Sequence, residues 1–507
     1  MEIKNLIKLL FFIGLLIFHV LFWKEGMGLN LVFFSAYSLL MLSLTDVTRW
    51  QSTFFKITAV GTTLLSIFVV WNHSDVSIIC FWLSWVLMIG VAYAPDLYYL
   101  LYALMQGLEN IFAAPTGFSN LKSVKEIDNG FVPEKTTGLR PSLFLIPITI
   151  LFSFLILYMI GNQEFASNIG KIFSAIFKNL DWLWDLLSLK WVLFMTLGMF
   201  FIGGLIWKNS GNVWQNAQLK HIFDIKISAV LPNMAQINDR YWVAFLTLAM
   251  LNALIFFVNI QDFVSISRVE NVDASAMRYS VHFGTYILIF SIMIAMALLF
   301  HFFKNDLNFI EKAPTLQLLA YAWIAQNAVM VIAVFLRNYL YISHYGLAYK
   351  RVGVVFFLLL VLFGLYTMVL KIKNQRTFHY LFHINTWAVY AMFILISAVN
   401  WDVFITNYNL NNCDKDKLDA AFLISGISDK NISILLQNKA RLPEKINYKE
   451  EGWFYDNNYE QDTKTAINNK RDAYLEKHKN GVSFFSWNYP DHQNNANAKN
   501  SLFSKED

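Results

Sequence analysis

The sequence predicts an all-α fold: a polytopic transmembrane helix bundle of about 11 spans, possibly 12, with a small helical C-terminal extramembrane region. Three observations carry this expectation. Apolar segments follow one another from Leu6 to Trp401 with only short polar loops between them. Of the 507 residues 56% are hydrophobic and only 15% charged, where a water-soluble chain carries roughly a quarter. The mean hydropathy is +0.44.

A helix needs ~20 apolar residues to cross the hydrocarbon core, because lipid satisfies no backbone polar group. Segments of that kind are 6–22, 28–44, 54–71, 76–94, 142–161, 191–207, 241–263, 282–303, 316–342, 353–371 and 380–401. The first follows Lys4 and Lys8 like a secretory signal, but Lys24-Glu25-Gly26 replaces a small-residue cleavage site, so it is expected to be retained.

The segment 96–114 is ambiguous. It is apolar on one side and gathers Gln106, Glu109 and Asn110 in its second half, so it either crosses or lies in the interface. Charge arbitrates, since cytoplasmic loops collect Lys and Arg. With this segment not crossing and the N-terminus inside, the later inner loops hold 13 basic residues and the outer loops 7; if it crosses, the ratio inverts. Eleven spans, a cytoplasmic N-terminus and an outer C-terminal region follow. A second amphipathic stretch, 165–184, is expected along the outer interface.

Composition changes at Trp401. Residues 402–507 hold 14 basic and 16 acidic side chains, net −2, leaving net +7 for residues 1–401. The basic residues are scattered among loops, so no nucleic-acid face is expected. Residues 402–490 read as a small module, with helical patterns over 417–426 and 429–442 and Ser428 as an N-cap between them; 491–507 is polar and reads as a disordered tail. Cys80 and Cys413 are far apart and imply no disulfide.

Within a bilayer the ionisable residues are the informative ones. In the chosen topology Arg337, Asn338, Tyr341, Tyr345, Lys350 and Arg351 lie at the outer level with Asp262, His282 and Asp402. The functional reading is an anionic-group or lipid-binding site formed by Arg337, Lys350, Arg351 and Tyr345, since the Arg fork suits phosphate. The structural reading pairs Arg337 with Asp262 or Asp402 and lets Lys350 and Arg351 snorkel to head groups. His379, His383 and His301 share an inner level, but no Glu or Asp completes a metal set. Gln326 and Asn327 either line a polar pathway or bond a neighbouring helix, and Glu109 matters for proton coupling only if its segment crosses. No phosphate-loop, nucleophile-elbow or dinucleotide motif occurs. No catalytic residue, metal site or cofactor is assigned.

Three stretches, SVHFGTYILIFSIMIAMAL at 280–298, LRNYLYISHYGLAYKRVGV at 336–354 and VNWDVFITNYNL at 399–410, together resemble the bacterial multi-span family known as domain of unknown function 4173. The run from Tyr345 to Arg351 is the most specific part. That resemblance implies a bacterial cytoplasmic (inner) membrane protein and brings no reaction, substrate or site residue. Two functional readings stand. One is a non-enzymatic protein that binds membrane lipids, or a protein partner through the C-terminal module. The other is a transporter, flippase or lipid-linked glycosyltransferase-like envelope enzyme; such glycosyltransferases use acidic residues in an early outer loop, where this chain offers Glu25 and Asp75.

Overall fold

A bilayer satisfies no backbone polar group, and among the described residues the long apolar runs form helices. The computed structural model describes residues 3–115, 151, 164–165, 167–169, 171, 189–207, 213–219, 234–267, 290–303, 307, 313–415, 418–451, 456–479 and 481–503. In order these give α1 (Ile3–Phe22), α2 (Leu29–Thr45), α3 (Thr53–Asn72), α4 (Asp75–Tyr93), α5 (Leu100–Phe112), α6 (Leu189–Ile206), α7 (Val213–Leu219), α8 (Met234–Ser267) and α9 (Phe290–Phe302). Then follow α10 (Ala313–Tyr345), α11 (Tyr349–Lys373), α12 (Phe378–Ser397), α13 (Trp401–Asn412), α14 (Ile432–Gln437), strands β1 (Lys445–Glu451) and β2 (Asp456–Asp462), α15 (Thr463–Lys477) and α16 (Tyr489–Phe503).

Among the described residues, six helices have the length and hydropathy to cross a membrane: Thr53–Asn72, Asp75–Tyr93, Ile237–Val264, Ala313–Tyr345, Tyr349–Lys373 and Phe378–Ser397. Four shorter apolar helices are Lys8–Phe22, Leu29–Thr45, Lys190–Ile206 and Phe290–Phe302. The expected span 142–161 and the amphipathic stretch 165–184 fall almost wholly outside the described residues.

The chain divides into two compact units. One comprises Met1–Ile67, Phe81–Asn216 and Ser483–Ser486. Its core is aromatic: Phe34 of α2 sits 6.1 Å from Phe18 of α1 and 5.3 Å from Trp85 of α4, and Trp85 meets Phe201 of α6 at 5.1 Å. Helix α5 is wedged between α4 and α6 by glycine. A Cβ on Gly90 would stand 1.8 Å from the Ala103 carbonyl oxygen, and one on Gly107 2.1 Å from that of Val86. Only a residue without a Cβ lets the facing backbone come so close. At 13 residues α5 spans about 20 Å, short of the ~30 Å core. Its buried Gln106 and Asn110 bond each other at 3.3 Å, and Glu109 accepts from the Trp214 indole at 2.8 Å.

The other unit comprises Phe68–Cys80, Ala217–Val482 and Trp487–Asp507. One apolar cluster joins α8, α9, α10 and α11 through Leu248, Leu299, Trp323 and Leu365. A second joins the turn between α10 and α11 to the C-terminal region, with Leu347 and Val352 in the same cluster as Ile405, Leu423, Leu435 and Ile467.

Three expectations for the C-terminus need correction. The last apolar helix ends at Ser397, and Asn400 caps a new helix by accepting from Val403 N–H at 3.2 Å, so the boundary at Trp401 cuts through a helix start. The module holds a β-hairpin, β1 paired antiparallel with β2 from Lys445↔Asp462 to Glu451↔Asp456; its polar sequence lacks the apolar alternation that marks strands. Residues read as disordered form α16. Its Ala498 is fully buried, Asn494 Nδ2 donates to the Asp429 carbonyl at 3.0 Å and Asn494 Oδ1 accepts from Ser433 N–H at 3.2 Å. Amide hydrogen bonds do here what an apolar face does in an ordinary helix.

Candidate functional site

Along α8 the residues Tyr241, Phe245, Leu248, Asn252, Ile255, Asn259 and Asp262 recur at alternating spacings of four and three, and along α10 Leu316, Leu319, Trp323, Gln326, Met330, Ala333 and Arg337 do the same. This is the heptad pattern of helices packed side by side. Asn252 Nδ2 donates to the Leu319 carbonyl at 3.0 Å and Asn259 Nδ2 to the Gln326 carbonyl at 3.1 Å. Both bonds join positions 67 residues apart. A constant offset over a whole heptad means that the two helices run parallel. Gln326 Nε2 donates to Asn252 Oδ1 at 2.7 Å, so every amide orientation in the seam is fixed by a donor. Among the described residues Asn259 Oδ1 and Gln326 Oε1 find no hydrogen-bond partner. Asn327 turns back on its own helix, donating to the Trp323 carbonyl at 2.8 Å.

At one end of the seam Arg337 Nη2 meets Asp262 Oδ1 at 2.5 Å, with side chains 13% and 11% exposed. A buried ion pair is costly to desolvate and costly to break, so neither partner is easily surrendered to an external ligand.

The Tyr345–Arg351 run is a helix-to-helix turn. Gly346, at φ +76°, stops α10 by donating to the Ile342 carbonyl at 2.8 Å, the left-handed cap that favours glycine. Asn409 of α13 grips the next residue at both backbone groups: its Nδ2 donates to the Leu347 carbonyl at 2.9 Å and its Oδ1 accepts from Leu347 N–H. Arg351 lies over the Tyr341 ring at 4.3 Å and donates to the carbonyls of Tyr345, at 2.9 Å, and of Gly346. Tyr341 and Tyr345 rings are 4.7 Å apart.

The Arg351 guanidinium is thus directed at the C-terminal carbonyls of a helix, where cations are favoured. The same device recurs among the described residues. Arg49 Nη1 donates to the Leu42 carbonyl of α2 at 2.7 Å while stacked on Tyr93. Lys371 Nζ, almost fully buried, donates to the Phe303 carbonyl beyond α9 at 2.7 Å. Lys350 is exposed.

Asp402, in the first turn of α13, accepts from the hydroxyls of Tyr349 and Ser428. Arg337 is not its partner, because the chain has already turned at Asn400 and aims the carboxylate at the α10–α11 turn. Beside it Lys470 Nζ donates to the Ile427 carbonyl and to Asn431 Oδ1, both at 2.9 Å. Burial pushes the Lys470 ammonium down to about 8. Asn431 passes the network on, donating to Thr406 Oγ1 at 3.0 Å. Cys413, half-buried at the end of α13, has its thiol pushed up by burial.

Of the predicted anionic site, then, the structure directs Arg337 to Asp262 and Arg351 to helix carbonyls, and leaves Lys350 exposed; His282 lies outside the described residues. Among the described residues no group of three His, Cys, Asp or Glu side chains is arranged to hold a metal, the histidines 301, 379 and 383 included. Glu25 accepts from the hydroxyls of Ser483 and Ser486. Sequence reasoning missed Asn252 and Asn259, which the heptad spacing to Asp262 would have revealed. It also missed Asn409 and Lys470, whose partners are distant in sequence and leave no local signal.

No curated protein and no solved structure matches the chain. A family model, DUF4153, described as a domain of unknown function, matches residues 10–438. This overturns the likeness to domain of unknown function 4173, which rested on three short apolar and aromatic stretches, whereas the match runs continuously from the first apolar helix through α14. The chain belongs to the DUF4153 family.

Proposed function

We propose that the protein is a non-enzymatic multi-pass protein of a bacterial inner membrane, with eleven spans, a cytoplasmic N-terminus and an outer C-terminal region that binds a membrane lipid or a protein partner. The observation that carries this reading is the shared apolar cluster of Leu347 and Val352 with Leu423, Leu435 and Ile467. A tethered domain keeps its own core; here whatever is bound by the C-terminal region acts directly on the turn between two long apolar helices. Exposed Lys350 on that turn supplies a cation for an anionic head group or an acidic partner surface. The short α5 supports the count of eleven.

Two measurements test this. With Cys80 replaced by Ser, Cys413 is to be labelled by a membrane-impermeant maleimide in intact spheroplasts; labelling only after lysis sinks the outer placement. Because burial raises this thiol, the expected reaction is slow and faster at alkaline pH. Purification in native membrane discs followed by mass spectrometry is then to recover a lipid or protein in fixed proportion, and the absence of either removes the binding reading.

A second reading, transport, is favoured by the seam between α8 and α10. Among the described residues Asn259 Oδ1 and Gln326 Oε1 are acceptors without donors between apolar helices, an arrangement that a passing donor group would satisfy. Uptake or efflux that survives Asn259→Leu removes it.

A further inference from the structure

Asp491, in the first turn of α16, faces two histidines from different elements. His478 Nε2, at the end of α15, stands 3.9 Å from Asp491 Oδ2, and His73 Nδ1, in the link between α3 and α4, stands 3.7 Å from the same oxygen. The three side chains are 14%, 23% and 12% exposed for His478, His73 and Asp491. Around them Asn488 Nδ2 donates to Asp491 Oδ2 at 2.8 Å, and the Tyr474 hydroxyl donates to the Asp491 carbonyl at 3.0 Å. Next to this group the Trp71 and Tyr489 rings stack at 4.9 Å and 8°.

The tautomer of His478 is fixed by its other nitrogen. Nδ1 lies 2.9 Å from the Tyr474 carbonyl, and a carbonyl only accepts, so Nδ1 carries a hydrogen. In the neutral imidazole Nε2 then presents a lone pair to a carboxylate, two acceptors face to face. Adding a proton turns Nε2 into a charged donor aimed at Oδ2 and makes the contact attractive. His73 offers the same carboxylate a second proton-dependent partner. Its own backbone is held at φ +47°, with its N–H donating to the Val69 carbonyl at 2.8 Å, so the ring is presented by a fixed turn.

We propose that Asp491, His73 and His478 form a proton-operated latch that fastens α16 to the α3–α4 link and to α15 on acidification. The other charged and titratable groups nearby are engaged elsewhere. Tyr474 is held well above its ordinary value by burial and by the charges of Asp491 and Asp429, so it stays a neutral donor. Lys477 faces Asp429 at 3.6 Å, both largely in solvent, and His492 lies against the Trp487 ring at 5.9 Å. Asp75, two residues past His73, sits in the first turn of α4, where a carboxylate complements the helix dipole. The attraction exists while an imidazole carries its second proton and is lost when that proton leaves on alkalisation.

The test is hydrogen exchange of the full-length protein in membrane discs, read by mass spectrometry on peptides from 489–503 at about pH 5.5 and about pH 8 and corrected for intrinsic rates. Wild type is expected to show protection in α16 about tenfold higher at the acid pH. The double variant His73→Asn, His478→Gln keeps neutral donors in place and is expected to show equal protection at both. No difference in wild type, or the same difference in the double variant, overturns the latch. Protection at about pH 8 that rises on adding zinc and falls with chelator also overturns it, in favour of a metal ion between the three side chains. Melting of the whole protein by size-exclusion fluorescence separates loss of the latch from loss of the fold.

Discussion

Arg337 of α10 and Asp262 of α8 close one end of a parallel helix seam, joined at 2.5 Å and largely shielded from solvent. Both side chains are largely withdrawn from solvent, so neither charge is readily rehydrated when the other is removed. Arg337→Gln takes from the largely buried Asp262 carboxylate the guanidinium that it meets at 2.5 Å and is expected to cost about 3–5 kcal/mol, while Arg337→Gln combined with Asp262→Asn is expected to cost clearly less than the two single changes added. Thermal denaturation of the four forms in detergent measures the coupling. A coupling near zero would release Arg337 for an external anion and revive the lipid-phosphate site.

Gly346 makes a sharper prediction because two independent constraints meet there. Its φ of +76° disfavours any residue with a Cβ, and a Cβ at that position would stand 2.6 Å from Asn409 Oδ1. Gly346→Ala is expected to lose about 1–3 kcal/mol by loosening the grip of Asn409 on Leu347. Gly353 is the control: it lies within α11, and among the described residues nothing comes within 4 Å of a methyl added there. Gly353→Ala is therefore expected to be neutral or to gain up to about 1 kcal/mol from helix propensity. Thermal denaturation of the two variants makes the comparison, and equal effects at the two sites would show that the turn is not under conformational constraint.

Much of the fold was legible because lipid imposes a strong code: long apolar runs become helices, and ten of the eleven expected segments coincide with described helices. What stayed hidden was pairing. From its position alone Gln326 reads as lining a polar pathway or bonding a neighbouring helix, but that its partner is Asn252 follows from parallel packing, which periodicity on one helix does not reveal. Arg351 and Lys350 look alike as neighbouring cations, and only the turn of the backbone at Gly346 directs one to helix carbonyls and the other to the surface. The Asn-rich end was misread because disorder is inferred from missing apolar residues, and Asn494 and Ala498 pack without them.

The amide seam separates structural from functional roles. Asn252→Leu removes the acceptor of Gln326 Nε2 and two donors to backbone carbonyls, and is expected to cost about 1–2 kcal/mol. Asn259→Leu removes an unsatisfied acceptor together with one donor, so its expected effect is within about 1 kcal/mol of zero. Melting temperatures of the two variants test the contrast. If Asn259→Leu proves as damaging as Asn252→Leu, then Asn259 Oδ1 is satisfied in the membrane by something the protein alone does not supply.

Lys470 predicts a pH dependence whose sign can be worked through. Its ammonium is buried and its folded value is pushed down to about 8 from an ordinary 10.5. Above the ordinary value the side chain is neutral folded or unfolded, and burial costs nothing electrostatically. Below about 8 it is charged in both states, and the folded state bears a net penalty on the order of 3 kcal/mol, desolvation outweighing the attraction of Asp429 and Asp402. Stability of the C-terminal region is therefore expected to rise between about pH 8 and pH 10 in wild type. Lys470→Met, which carries no charge to desolvate, is expected to lack that rise, and its stability relative to wild type should fall steadily over the same interval. Denaturation followed by the fluorescence of Trp487, at matched ionic strength, measures the difference, and parallel curves for the two proteins would show that the Lys470 ammonium is solvated in the folded state.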